Sequence, residues 1–240
     1  MSLSIVIPVH NEEDQIKYTI KKISKLKLFI KKIEIIFVDD FSTDKTFNLI
    51  KKYRRNEKFF KLVKNKKKGL GQAIQEGIKK SKFKYVCIFM CDMSDDLNDL
   101  KKYYNLAEKH NLDAVLGSRF LNNSKVKNYP KFKMILNRIA NNLIKIIFLI
   151  NYNDFTNAFK IYKRKTLLKL FPIVSESFNV FLELPLKIIN RNYTYKIIPI
   201  NWNGRVKGKS KFKIRETSSM YMFTLIYCVI EKMLLSKTKS

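Results

Sequence analysis

Five short apolar runs, most of them followed by a stretch of helical spacing, constrain what this chain folds into more than any other feature. "LSIVIPV" opens the series, and the segment from Glu12 to about Leu28 follows with Ile16, Ile20 and Ile23 at intervals of three and four. "IEIIFVDD" gives way to "STDKTFNLIKKYRR", "FKLVKN" to "GLGQAIQEGIKKS" and "KYVCIFMCD" to "LNDLKKYYNLAEKH", and "DAVLGSRF" completes the set. Runs of strand length alternating with helices predict an α/β fold, a mostly parallel sheet with helices on both faces. Ligands of such sheets collect beyond the carboxyl ends of the strands. Three of those ends carry polar clusters: "PVHNEE", "VDDFSTD" and "CDMSDD". Their convergence on one sheet edge is the physical reason to expect a site there.

The second half of the chain changes character. A long amphipathic helix is predicted from about Lys131 to Leu149, followed by "YNDFTNAFKIYKR", "FNVFLELPLKIINRNY" and the strand-like "YKIIPINW" ahead of "NGRVKGKSKF". There is no internal repeat and no clear linker. With 240 residues the chain has length for one domain with a real core; the expected boundaries are 1–215 for that domain and 216–240 for an amphipathic C-terminal helix.

Charge narrows the partners without choosing among them. Lys and Arg number 49 against 20 Asp and Glu, for a formal net charge of +29. Phosphorylated substrates, anionic lipid surfaces and nucleic acid would all be attracted. A nucleic-acid-binding protein is the competing class; no recognised binding motif supports it, and acids cluster where a site is expected. Three cysteines, Cys87, Cys91 and Cys228, make no paired framework and read as reduced, buried thiols. The N-terminus runs straight into a strand, so no leader is expected. No uninterrupted run reaches the ~18 to 20 apolar residues of a spanning helix; "MYMFTLIYCVI" stops at Glu231 and Lys232.

Taken in order, "SIVIPVHNEE", "IIFVDDFSTDKT", "KGLGQAIQEGI", "FMCDMSDD", "GSRF", "NDFTNAFKIYKR" and "GRVKGKSKF" resemble the motifs of family 2 glycosyltransferases of the GT-A fold. The nearest group is the dolichol- and polyprenyl-phosphate sugar transferases, and the likeness runs from about residue 3 to 213. It implies an inverting transfer from a nucleotide diphosphate sugar to a polyprenyl phosphate, assisted by Mg²⁺ or Mn²⁺. The second form of the activity transfers to a sugar hydroxyl of a glycan or lipopolysaccharide. A non-catalytic member is the third.

The resemblance places Pro8, Asn11, Glu12, Asp39, Asp40 and Gly69 at the nucleotide sugar. Pro8 would also end its strand, Asn11, Ser42 and Asp44 are equally suited to helix capping, and Phe41 stands where the family usually has Gly. Asp92 occupies the second position of the Asp-x-Asp metal segment and Met90 the first, so Asp92, helped by Ser94, is the expected metal ligand. One carboxylate plus a diphosphate suffices for Mg²⁺. Asp95 and Asp96 also suit the start of the following helix. Arg119, Lys133, Asn137, Arg205 and Lys211 match positions that bind the acceptor phosphate, with Lys133 where relatives often carry Arg and Asn137 where they often carry Ser. Asp92, Arg205, Lys211 and Asp154 form the expected catalytic set. A hydroxyl acceptor would need a base, for which Asp95, Asp154 and Glu183 are candidates. The expected location is cytoplasmic, peripheral on the cytoplasmic face of the inner membrane, through an anionic surface, a membrane partner or a homodimer.

Overall fold

The computed structural model describes residues 2–28, 30, 32–205 and 214–237. Seven strands form one sheet in the order β3-β2-β1-β4-β7-β5-β8. They are β1 (Ser2–Val9), β2 (Lys32–Asp39), β3 (Phe60–Lys64), β4 (Tyr85–Ile88), β5 (Ala114–Ser118), β7 (Lys160–Lys163) and β8 (Tyr195–Pro199). All pairs are parallel except those of β7, which lies antiparallel between β4 and β5. A second, two-stranded sheet joins β6 (Val126–Lys127) to β9 (Trp202–Asn203).

Alternation along β1 shows how the sheet divides the core. Leu3, Ile5, Ile7 and Val9 face one apolar layer and Val6 the other. The first layer is closed by α1 (Glu13–Ile23), α2 (Thr46–Asn56) and α4 (Leu97–Lys109). The second is closed by α3 (Leu70–Lys80), α6 (Arg164–Lys169) and α7 (Val180–Asn190), with residues of α5 (Lys131–Phe148) and α8 (Ile214–Lys237). All three cysteines are free and buried.

Three elements depart from the expectations. The strand does not end at Pro8 but runs to Val9. Val6 accepts from Phe89 N–H across the β4 side, so Pro8, two residues on, faces that same side beyond the end of β4. Its missing N–H therefore leaves no ladder bond unmade. The strand β7 was hidden in "AFKIYK", whose partners are more than 40 residues away in β4 and β5. Finally, Ser218–Ser236 within α8 is long and apolar enough, by length and composition, to cross a membrane, against the expectation of no such stretch. Met222, Phe223, Met233 and Leu234 are exposed on α8 while Thr224 and Cys228 are buried, so apolar residues lie on both its faces.

Candidate active site

Strand order reverses beside β1, which leads through α1 to β2 on one side while β4 lies on the other. The crevice between the carboxyl ends of β1 and β4 is the topological switch point where open α/β sheets bind ligands. The three polar loops meet there.

The first two are laced together. Asn11, at φ 47°, accepts from Thr43 N–H through Oδ1 at 2.8 Å, and its own N–H donates to Ser42 Oγ at 3.1 Å. Glu12 N–H donates to Thr46 Oγ1 at 2.8 Å. Phe41 adopts φ 57°, the left-handed conformation a Gly would take more cheaply. The two adjacent aspartates then diverge. Asp39 has a buried Oδ1 with no hydrogen-bond partner among the described residues. The Asp40 carboxylate is engaged: it accepts from Gly69 N–H at 2.9 Å and from Asn65 Nδ2 at 2.8 Å. Gly71 N–H is taken by Glu176 O at 2.9 Å. The glycine-rich turn therefore directs these two N–H groups at the protein.

The third loop follows β4, which stops at Ile88 and leaves "FMCDMSDD" outside the strand. Asp92 Oδ1 accepts from Ser94 N–H at 3.1 Å. Its Oδ2 lies 3.6 Å from Arg205 Nε, and Arg205 Nη2 lies 2.7 Å from Glu12 Oε1. One guanidinium thus bridges the first and third loops. Arg205 is placed by β9, which bonds Ser94 O through Asn203 N–H and bridges Asp95 through Trp202. Gly204 permits this path, since a Cβ there would sit 2.2 Å from Asn128 O.

The paired acids separate in role. Asp96 caps α4, accepting from Asn98 N–H at 2.9 Å. Asp95 is buried, with no partner for Oδ1 among the described residues, and burial followed by the Asp92 charge pushes its carboxyl up to about 8, against the pull of Arg119 and Lys160. Ser94 Oγ is likewise buried and without a partner among them. No group of three or more His, Cys, Asp or Glu able to hold a metal occurs among the described residues. The oxygens of Asp92, Ser94 and Asp95 nevertheless suit a hard cation that takes its remaining ligands from a diphosphate and water.

Beside the Asp154 loop, the fork of Arg119 is spent within the protein. Its Nε and Nη2 donate to the Asp154 carboxylate at 2.9 and 2.7 Å, its N–H donates at 2.8 Å, and both side chains are buried. Phe120, Tyr129 and Trp202 surround the guanidinium. Asn137 reaches the same loop through Thr156, and Lys133 lies one turn before it on α5. Lys211 lies outside the described residues. Glu183 is remote from this cluster in its contacts: fully buried, it pairs with Lys187 at 2.7 Å and accepts from Val174 and Ser175 N–H.

Lys160 is the functional-side residue that sequence reasoning missed. It is fully buried under the Asp154 loop, bonds the carbonyls of Phe155 and Asn157, and burial holds its ammonium down at about 7 despite Asp154 and Asp95 nearby. One lysine among so many basic residues carries no signal of its own in the sequence.

A model of the family described as "Glycosyl transferase family 2" matches residues 4–171. The dolichol-phosphate mannosyltransferase of Pyrococcus furiosus is 23% identical over 218 residues, covering 89% of this chain and 60% of that protein. The polyprenol monophosphomannose synthase of Mycolicibacterium smegmatis is 22% identical over 214 residues, covering 86% and 79%. This chain thus spans only about three-fifths of the Pyrococcus relative's length. Among solved structures, glucosyl-3-phosphoglycerate synthase from Mycobacterium tuberculosis, crystallised with Mn²⁺, UDP-glucose and phosphoglyceric acid, superposes with a TM-score of 0.73 at 16% identity, covering 95% of this chain and 79% of that one. That likeness establishes the GT-A fold. With the sheet, the switch-point crevice and the family match in agreement, the chain belongs to glycosyl transferase family 2.

Proposed function

We propose that this enzyme moves a sugar from a nucleotide diphosphate sugar to the phosphate of a polyprenyl phosphate at a membrane surface. The carrying observation is the two-sided character of α5. Its inner row, Asn137 and Asn141, holds the Thr156 loop. Its outer rows expose Phe132, Ile135, Ile139, Leu143 and Ile146, with Phe132 at 68%. The adjoining α8 exposes a second apolar surface and ties to the end of α5 through Lys232 Nζ and Phe148 O at 2.7 Å. A polar cluster bordered by exposed apolar helices suits an acceptor with a charged head and an apolar chain. The names of the Pyrococcus and Mycolicibacterium relatives support the same acceptor class.

In this reading Asp39, with Pro8, Asn11 and Glu12, lines the nucleoside end, while Arg205 faces the phosphates. Asp92, with Ser94 and Asp95, would hold a divalent cation, which supplies charge neutralisation at the diphosphate. A phosphate oxygen of the acceptor forms the new bond to the anomeric carbon, and the nucleoside diphosphate departs with the electron pair. The acceptor phosphate, with a second pKa near ~6, needs no strong base. A glycan hydroxyl is the second reading, favoured by Asp95: of the three candidate bases, it alone retains a buried oxygen without a hydrogen-bond partner among the described residues. Labelled nucleotide sugars incubated with polyprenyl phosphate and Mg²⁺ or Mn²⁺ decide between them. Labelled lipid is expected; label found only on glycan hydroxyls, or no lipid product from any donor, would overturn the proposal.

A further inference from the structure

We infer that the Thr156 hydroxyl donates a hydrogen bond to the acceptor's phosphate, with its proton aimed outward by a relay that begins at a backbone N–H. The inference rests on the phosphate-acceptor reading above and assigns that site a residue of its own.

The direction of each bond in the relay follows from the one before. Phe155 N–H is a donor without alternative, and it meets Asn141 Oδ1 at 2.6 Å. That contact fixes the Asn141 amide, so its Nδ2 points at Asn137, where Oδ1 accepts at 2.9 Å. Asn137 is then fixed in turn, and its Nδ2 donates to Thr156 Oγ1 at 2.5 Å. The other groups near this oxygen are also donors, Arg119 Nη2 at 3.4 Å and Asn141 Nδ2 at 3.5 Å. Thr156 Oγ1 therefore accepts from Asn137 with only donors on its other inward sides, and its own proton has no acceptor among the described residues.

The backbone that presents this hydroxyl is held firmly. Lys160 Nζ binds the carbonyls on either side of it, Phe155 O and Asn157 O, and the neighbouring Asp154 is locked to Arg119. Phe155 and Asn157 are buried while Thr156 is half-exposed. A fixed, half-exposed donor, with Lys133 one turn before Asn137 on the same helix, selects a ligand that is all acceptor, and a phosphate monoester is that ligand. Asn137 becomes a positioning residue in this arrangement, since it acts through Thr156.

The test is binding of geranyl phosphate to the full chain, followed by ³¹P NMR titration, alongside binding of UDP and GDP. Thr156→Val keeps the shape and removes the proton; Thr156→Ser keeps the proton. Loss of one hydrogen bond to a charged oxygen predicts about tenfold weaker geranyl phosphate binding for Thr156→Val. Thr156→Ser should stay close to the starting protein, and nucleotide binding should not move in either variant. Unchanged phosphate affinity in Thr156→Val, or equal loss in Thr156→Ser, overturns the hydroxyl's role while leaving the acceptor class intact. If the unaltered protein binds no geranyl phosphate, the acceptor reading falls and this inference falls with it.

Discussion

Replacing Asp154 by Ala tests the acceptor side most directly, because it strands Arg119. The guanidinium is only 7% exposed and its carboxylate partner is fully buried. Three hydrogen bonds join the two residues, and aromatic rings of Phe120, Tyr129 and Trp202 close the remaining sides. Burial alone would lower the Arg119 pKa, but the Asp154 charge and hydrogen bonds outweigh it and raise it. The cation therefore cannot escape its cost by losing a proton. Removing one partner of such a pair costs about 3–5 kcal/mol. For a domain of this size that is a fall of roughly 6–20 °C in melting temperature, at about 2–4 °C per kcal/mol. The double variant Arg119→Met with Asp154→Leu removes both charges among apolar rings, and most of the loss should return. Urea denaturation of the single and double variants gives the coupling energy. A loss below about 1 kcal/mol for Asp154→Ala, or a double variant no better than the single, would mean that water reaches Arg119 and that the pair is a surface contact.

Four further outcomes follow from the same geometry. Asp92→Asn keeps an acceptor for Ser94 N–H, so turnover should fall about 100-fold or more without loss of fold; near-normal turnover would remove Asp92 from the diphosphate corner. Gly71→Ala places a Cβ 2.3 Å from Ser175 O, a backbone atom, and should lower stability in urea by about 1–3 kcal/mol; an unchanged midpoint would show that the 175–176 loop yields freely. Lys160 binds its proton less tightly when folded, at about 7 against its ordinary 10.5. Between those values the unfolded chain holds more protons, so the Lys160 contribution to stability rises with pH, by up to about 1.4 kcal/mol per unit. Stability of the natural chain minus that of Lys160→Met should therefore climb from pH 7 to 10; parallel curves would refute the burial argument. Ile139→Glu on the outer row of α5 should weaken co-sedimentation with anionic vesicles more than tenfold, since a fully inserted side chain of this size contributes about 1.5–3 kcal/mol; equal sedimentation would place the membrane contact elsewhere.

The first half of the fold was legible because its information is local. Each of the first four strands is an apolar run next to its helix, and the polar loops follow at the strand ends. At Phe41, where the resemblance implied Gly, the backbone takes φ 57°. Legibility ended where partners are distant. Asp39 and Asp40 look alike in sequence; they differ because Asn65 and Gly69 reach Asp40 alone. Arg119 was recognisable as a cation, but its partner lies 35 residues on, so the pair it makes with Asp154 was not. The strand β7 and its Lys160 were invisible for the same reason. The α8 stretch was discounted by asking for an unbroken apolar run, whereas an average over Ser218–Ser236 tolerates Ser, Thr and the single charged pair Glu231 and Lys232.

The far end of the chain also supports the crevice between β1 and β4, beyond residue 171 where the family match stops. Glu183 accepts the N–H groups of Val174 and Ser175, which sets the path of that loop. The loop then presents the carbonyls of Ser175 and Glu176 to the glycine-rich turn, 2.5 Å and less from where Cβ atoms of Gly69 and Gly71 would stand. Thr224 of α8 bonds Asn179 and Ser175, so the helix with the exposed apolar surface holds the same loop from behind. Gly69 in turn gives its N–H to Asp40. A continuous series of contacts thus runs from α8 to the crevice between β1 and β4. The two glycines are small because carbonyls occupy the space above them, and the turn they form holds Asp40 and the crevice wall in place.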